Sequence, residues 1–96
     1  MLKRTAEMTA PELRLAIKRL IVTELNLKGR DPETIEDDGL LFGGGLGLDS
    51  LDALQLAMSI EETFGARIPE GDEARPIFRS VRSLAAYVAS TRARSA

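Results

Sequence analysis

The chain contains no cysteine and no histidine. Without cysteine there is no disulfide, no protein thiolate nucleophile and no zinc–thiolate site. Without histidine, the usual general base near neutral pH and the commonest metal ligand are both missing. No run approaches the ~18 apolar residues that a membrane span needs, so no span is expected and a cytoplasmic location is the default. The opening stretch "MLKRTAEMTAPE" is charged with no apolar run behind it, so a secretory leader is not expected. No segment sustains two-residue alternation of polar and apolar residues, which predicts an absence of sheet.

What is present suits one small domain. The 96 residues are 44% apolar, a globular composition rather than a disordered one. A chain of this size buries only about 60–65% of its unfolded surface, which leaves little room for a deep catalytic cavity. The net charge of −2 hides a strong segregation. Residues 1–30 carry net +4, residues 31–73 carry net −11 with Arg67 as their one basic group, and residues 74–96 carry net +5 with no acid. An acidic middle steers basic partners towards it and repels nucleic acid. The tail "STRARSA" is expected to be solvated. A single domain over residues 1–96 follows, with its core about 9–90 and flexible ends at 1–8 and 91–96.

Three long helices are legible. "TAPELRLAIKRLIVTELNL" reads as the first: Thr9 is a good N-cap, Glu12 completes a capping box, and Pro11 suits the first turn. Leu13, Ile17, Leu20, Ile21 and Leu25 recur at helical spacing, with Arg14, Lys18 and Arg19 off that stripe; Gly29 and Pro32 are expected to stop the helix. The long loop over 28–49 is expected to anchor itself through Ile35, Leu40, Phe42 and Leu46, with the glycines at 43–45 giving backbone freedom. A second helix runs from about Ser50 to Phe64, capped by Asp49 or Ser50 and ended by Gly65. "PEGDEARPIF" is a connector with one short helical turn expected before Pro76. "SVRSLAAYVAS" is the last helix: Ser80 caps it, and Val81, Leu84, Ala85 and Val88 face inward.

The second helix has two apolar faces. On a wheel turning about 100° per residue, Ala53, Leu56, Ala57, Ile60 and Phe64 form a core face. Leu51, Leu54 and Met58 fall opposite, edged by Gln55, Glu61 and Glu62, with Asp49 and Asp52 at the N-terminal end. A bundle helix needs only one apolar face. The second is either covered by loops or is a docking strip, in which apolar contacts give affinity and acids attract basic partners. Met58 suits docking because its thioether adapts to several shapes.

Ser50 sits where the glycine-rich loop meets this helix. Self-contained nucleophilic catalysis needs a base, and the lysines Lys3, Lys18 and Lys28 all lie in or near the first helix. "GLDSL" lacks the second glycine of a nucleophile elbow. "FGGGLGL" has no Lys-Ser/Thr to make it a phosphate loop. "DPETIEDDG" lacks the ligand spacing of an EF-hand, and no metal site is expected. Taken alone, Ser50 is a helix cap.

The surrounding pattern says more. "LGLDSLDALQLAMSIEETFGARIP", Leu46 to Pro69, resembles the acyl carrier protein family. The likeness rests on Asp49-Ser50-Leu51, the spacing from Phe42 to Ser50, the run Leu56, Met58, Ile60, Glu61, Glu62 and Phe64, and Ile68-Pro69. It continues in "SVRSLAAYV" and covers roughly residues 9–90. The resemblance implies an all-α fold: a right-handed four-helix bundle with three main helices, a short third helix, and a long loop between helices 1 and 2. It implies no catalysis. A separate phosphopantetheinyl transferase places a 4′-phosphopantetheine arm from coenzyme A on Ser50, and the arm's thiol carries acyl groups as thioesters. That accounts for a serine without a base and a working thiol without a cysteine. Asp49, Leu51, Asp52, Leu54, Gln55, Met58, Glu61 and Glu62 match the family's partner-binding helix, which acyl-loading and acyl-processing enzymes meet with basic surfaces. The core face is expected to line a cleft for a short acyl chain, where Ala53 and Ala57 leave room. A monomer is expected.

The sequence departs from the fatty-acid carriers at Gln55, where an acid is usual, at Gly65 and Arg67, and at the triple glycine. Its connector from Pro69 to Val81 is also longer and contains Pro76. These departures favour a free-standing carrier of a specialised lipid, polyketide or polyene pathway over a housekeeping fatty-acid carrier or an aminoacyl carrier. The reading from a different class is a carrier-like interaction adaptor that never takes the arm.

Overall fold

Thr9 starts the first helix as its sequence requires. In the computed structural model, which describes residues 8–25, 27, 29, 31–42, 47–69 and 71–95 with the side chains of 92–95 excepted, α1 runs Ala10–Glu24. The Thr9 hydroxyl accepts from the Glu12 N–H at 3.3 Å, and the Glu12 carboxylate accepts from the Thr9 N–H at 2.9 Å. Together they satisfy two donors that the first turn leaves without partners. Leu13, Ile17 and Ile21 are buried along one stripe. The helix stops short of Gly29. Leu25 N–H bonds back to the Ile21 carbonyl, and Leu27 N–H to that of Val22 at 3.0 Å. The second bond is the six-to-one closure that ends a helix locally, so neither Gly29 nor Pro32 is the stop signal.

α2 runs Ser50–Phe64, and Gly65 closes it in the left-handed conformation at φ 70°, where a side chain would be strained. α3 is a single turn, Ala74–Ile77, preceded by a 3-10 turn at Gly71–Glu73. It includes Pro76 rather than ending before it. A proline within the first turn forfeits no helical bond, since those N–H groups have no intrahelical partner. α4 runs Val81–Ser95, past Ser90, where its sequence pattern stops. The Ser80 hydroxyl accepts from the Ser83 N–H, and the Ser83 hydroxyl from the Ser80 N–H. Val81, Leu84, Ala85 and Val88 are all buried, as the spacing predicts.

α1 packs against both α2 and α4, and α3 against α4. The core joins the α1 stripe to Leu56 and Ile60 of α2 and to the inner face of α4, and includes Ile68 and Phe78. Among the described residues there is no strand, only an isolated bridge between Phe42 and Leu48. The fold is the expected all-α bundle of three main helices and a short third.

The long loop is held differently from its expected anchoring. Ile35 is buried, and Phe42 meets Phe78 edge to face with ring centroids 6.2 Å apart. Leu40, however, is 49% exposed, and Leu41 is the buried anchor. Register decides this: Leu41 donates its N–H to the Arg79 carbonyl and accepts from the Leu48 N–H, both at 3.1 Å, which turns its side chain inward and Leu40 outward. Leu48 is a further buried anchor. Leu46 and the glycines at 43–45 lie outside the described residues.

Asp37 ties this loop to two helices. Its carboxylate meets Lys18 at 2.6 Å and Arg14 at 3.0 Å on α1, and Arg82 at 3.8 Å on α4. Its backbone carbonyl accepts from the Arg82 N–H, and Arg82 also pairs with Asp38 at 2.6 Å. The hydrogen bond from Lys18, aided by the charges of Arg14 and Arg82, holds the Asp37 carboxyl below the usual carboxylate range. A depressed carboxyl stabilises the fold above its unfolded value of ~3.9 and loses that contribution as pH falls through the lower folded value. Asp37→Asn is therefore expected to lower stability by about 1 kcal/mol at pH 7, the upper range for partly exposed pairs. The gap between variant and parent should narrow as pH falls below the unfolded carboxyl value of ~3.9. Urea unfolding of both proteins on either side of that value checks this.

Candidate functional site

The start of α2 is built by aspartates. Asp49 is its N-cap: its side chain accepts from the Asp52 N–H at 2.9 Å, and the Asp52 carboxylate accepts from the Asp49 N–H at 3.0 Å. Of the two capping residues that the sequence allowed, Asp49 has the role. Ser50 is left as the first residue of the helix, exposed, and its hydroxyl makes no hydrogen bond among the described residues. No described residue accepts from the N–H groups of Ser50 or Leu51. Two donors and a hydroxyl without partners among the described residues thus lie together at the positive end of the helix dipole. A phosphodiester attached to that oxygen would meet these donors, with the Asp49 carboxylate next door working against it, and the site fits the phosphate-linked arm that the resemblance implies.

Beyond Ser50 the two faces of α2 separate as the wheel predicts. Leu56 and Ile60 are fully buried, and Ala53, Ala57 and Phe64 are half-buried. Leu51 is 76% exposed, Leu54 58% and Met58 49%. Gln55, Glu61 and Glu62 are exposed beside them, and Asp52 is half-buried at the N-terminal end. Among the described residues these three, with Leu40, are the large apolar side chains left in solvent. The described part of the long loop leaves the strip exposed, and Leu40 adds a fourth member to the exposed apolar surface. Sequence reasoning missed Leu40 because nothing local distinguishes it from Leu41. It also missed Ser59, buried on the core side of α2, whose hydroxyl donates to the Glu24 carboxylate of α1 at 2.7 Å. The hydrogen bond offsets the cost of burying the hydroxyl.

Ser50 stands at an open groove of about 1310 Å³. Ala53 and Ala57 of α2 contribute to one wall, and Ile68, Ala74 and Phe78 to another. Small residues facing bulky ones leave the space between α2 and α3. The wall opposite α2 is held from behind: the Tyr87 hydroxyl on α4 donates to the Arg67 carbonyl at 2.6 Å. Among the described residues no cluster of acidic side chains suits a metal ion, and no helix is long and apolar enough to cross a membrane.

A family model described as "phosphopantetheine attachment site" matches residues 16–88. An acyl carrier protein of Onion yellows phytoplasma (strain OY-M) is 43% identical over 72 residues, covering 75% of this chain and 87% of that protein. One of Rhodopseudomonas palustris (strain BisB18) is 43% identical over 54 residues, covering 56% and 63%. One of Chloroherpeton thalassium (strain ATCC 35110 / GB-78) is 40% identical over 65 residues, covering 68% and 76%.

Proposed function

The chain belongs to the acyl carrier protein family, and from that premise we propose that Ser50 takes the arm and that the outer face of α2 receives the partner enzymes. As a member it is a phosphopantetheine-bearing carrier and not an enzyme, and a separate transferase attaches the arm. Once attached, the arm supplies a terminal thiol that holds acyl groups as thioesters.

The observation that carries the assignment is the Ser50 hydroxyl, exposed and without a hydrogen bond among the described residues at the mouth of the groove. In attachment its oxygen bonds to the phosphorus that bears the pantetheine of coenzyme A. The link from that phosphorus to the adenosine bisphosphate breaks, the bisphosphate leaves, and the serine proton passes to the transferase. The N–H groups of Ser50 and Leu51, which have no acceptor among the described residues, then face the new negative charge. Leu51, Leu54 and Met58 offer partners apolar area, and Asp49, Asp52, Glu61 and Glu62 offer charge, with Gln55 between them. An unmodified adaptor has no use for that serine, so the adaptor reading is the weaker.

The proposal extends to a single domain over residues 1–96 with its core about 9–90, acting as a cytoplasmic monomer. It also extends to the pathway. Gln55 lowers the charge of the docking face, and Arg67, exposed in the connector after α2, adds a cation where fatty-acid carriers are often acidic. Both favour partners of a specialised lipid, polyketide or polyene pathway over the housekeeping fatty-acid enzymes. The test is complementation of a strain depleted of its fatty-acid carrier. Failure to rescue, with the protein expressed and carrying its arm, is the expected result; full rescue overturns the specialised reading.

A further inference from the structure

The groove beside Ser50 is not uniformly apolar. Its floor is, with Ala53, Ala57 and Phe78, but Arg67, Arg75 and Arg79 also line it. Arg67 is the one basic residue in an otherwise acidic segment spanning 31–73. Arg75 is engaged by Asp72 at 3.5 Å. Arg67 and Arg79 are exposed, and neither has an ion-pair partner among the described residues. The groove also holds the acids Asp49, Glu61 and Asp72. Asp72 is the partner of Arg75, and the Asp49 carboxylate, which keeps its charge, is oriented by its bond to the Asp52 N–H at the start of α2. None of the three pairs with Arg67 or Arg79 among the described residues.

Both arginines sit on anchored backbone. The Arg67 carbonyl accepts from the Tyr87 hydroxyl at 2.6 Å, and that of Arg79 accepts from the Leu41 N–H at 3.1 Å. Two cations on fixed stretches of backbone, at a concave apolar site that also contains the attachment serine, are suited to a ligand that is apolar along its length and anionic at one point.

Resting on the assignment of Ser50 above, the geometry points to a cargo class: the groove favours an acyl chain that bears a carboxylate, held by Arg67 and Arg79, over a neutral chain of equal length. The apolar carbons lie against Ala53, Ala57 and Phe78, and the carboxylate reaches the guanidiniums at the mouth. No covalent step beyond loading is involved.

The experiment loads the protein with suberoyl and with octanoyl groups, using the two coenzyme A thioesters and a broad-specificity transferase. It then measures cleavage of each thioester by hydroxylamine. For Arg67→Gln/Arg79→Gln, cleavage of the suberoyl thioester should speed up by roughly five-fold relative to the parent, the scale of one partly solvated charge-assisted hydrogen bond. Cleavage of the octanoyl thioester should be unchanged. Arg67→Lys/Arg79→Lys should retain most of the suberoyl protection. Added salt should accelerate suberoyl cleavage selectively in the parent protein, a readout that survives if the glutamine variant does not fold. Equal effects on both thioesters, or none on either, overturn the inference; equal effects assign the arginines to the phosphodiester or to the wall itself. Failure of the parent protein to gain mass on loading overturns the Ser50 assignment, and this inference with it.

Discussion

Ser50→Ala is expected to abolish attachment completely while leaving the helix in place. The parent protein, incubated with coenzyme A and a phosphopantetheinyl transferase, should gain the mass of one phosphopantetheine; the variant should gain nothing. A serine at a helix start is ordinarily a cap, and removing a cap costs about 1 kcal/mol. Here Asp49 supplies the cap and Asp52 its reciprocal bond, so Ser50 contributes no side-chain hydrogen bond to lose. Alanine is also the better helix former. Ser50→Ala should therefore unfold within about 0.5 kcal/mol of the parent, whereas Asp49→Ala should cost about 1 kcal/mol. Intact mass and urea midpoints measured on the same three proteins decide it. A Ser50→Ala protein that still gains the arm, or that loses as much stability as Asp49→Ala, overturns this division of roles.

The second large effect lies on the opposite face of the same helix. Leu56 is fully buried, and Leu56→Ala is expected to cost about 2–5 kcal/mol from lost burial and the cavity left behind. Domains of this size are stable by only about 5–15 kcal/mol, so that is a large share, and thermal unfolding should shift accordingly. Met58, two residues on and half exposed, provides the contrast. Met58→Glu should leave helix content and unfolding midpoint near those of the parent while slowing acyl transfer to partner enzymes. Stability loss at Met58 equal to that at Leu56 would mean the strip is core and not a docking surface.

Signals carried by neighbours in sequence were legible, and those carried by neighbours in space were not. The capping box of Thr9 and Glu12, the left-handed Gly65 and the apolar spacing of α4 are all local, and each stands where its residues indicate. The two faces of α2 follow from periodicity alone, which is why the exposed strip was visible before the fold was. The exchange of Leu40 for Leu41 is different. Two adjacent leucines in a loop are equivalent until a backbone bond to Arg79 fixes which one points inward. The same holds for Asp37, whose partners come from α1 and α4, and for Ser59, whose partner is at the far end of α1. Arg67 and Arg79 are twelve positions apart, and nothing in their spacing says that one groove gathers them. The choice between Asp49 and Ser50 as cap was undecidable from type, since both are good caps; the backbone settled it.

The bond from Tyr87 to the Arg67 carbonyl makes the groove optically self-reporting. The chain has one tyrosine and no tryptophan, so its near-ultraviolet absorbance is dominated by, and its emission arises from, the residue that moors the wall opposite α2. Any event that strains or releases that mooring changes the hydrogen bond of the only fluorophore of its kind in the molecule. The state of the wall can therefore be followed in unlabelled protein by emission alone, without a dye at the surface that partners must reach.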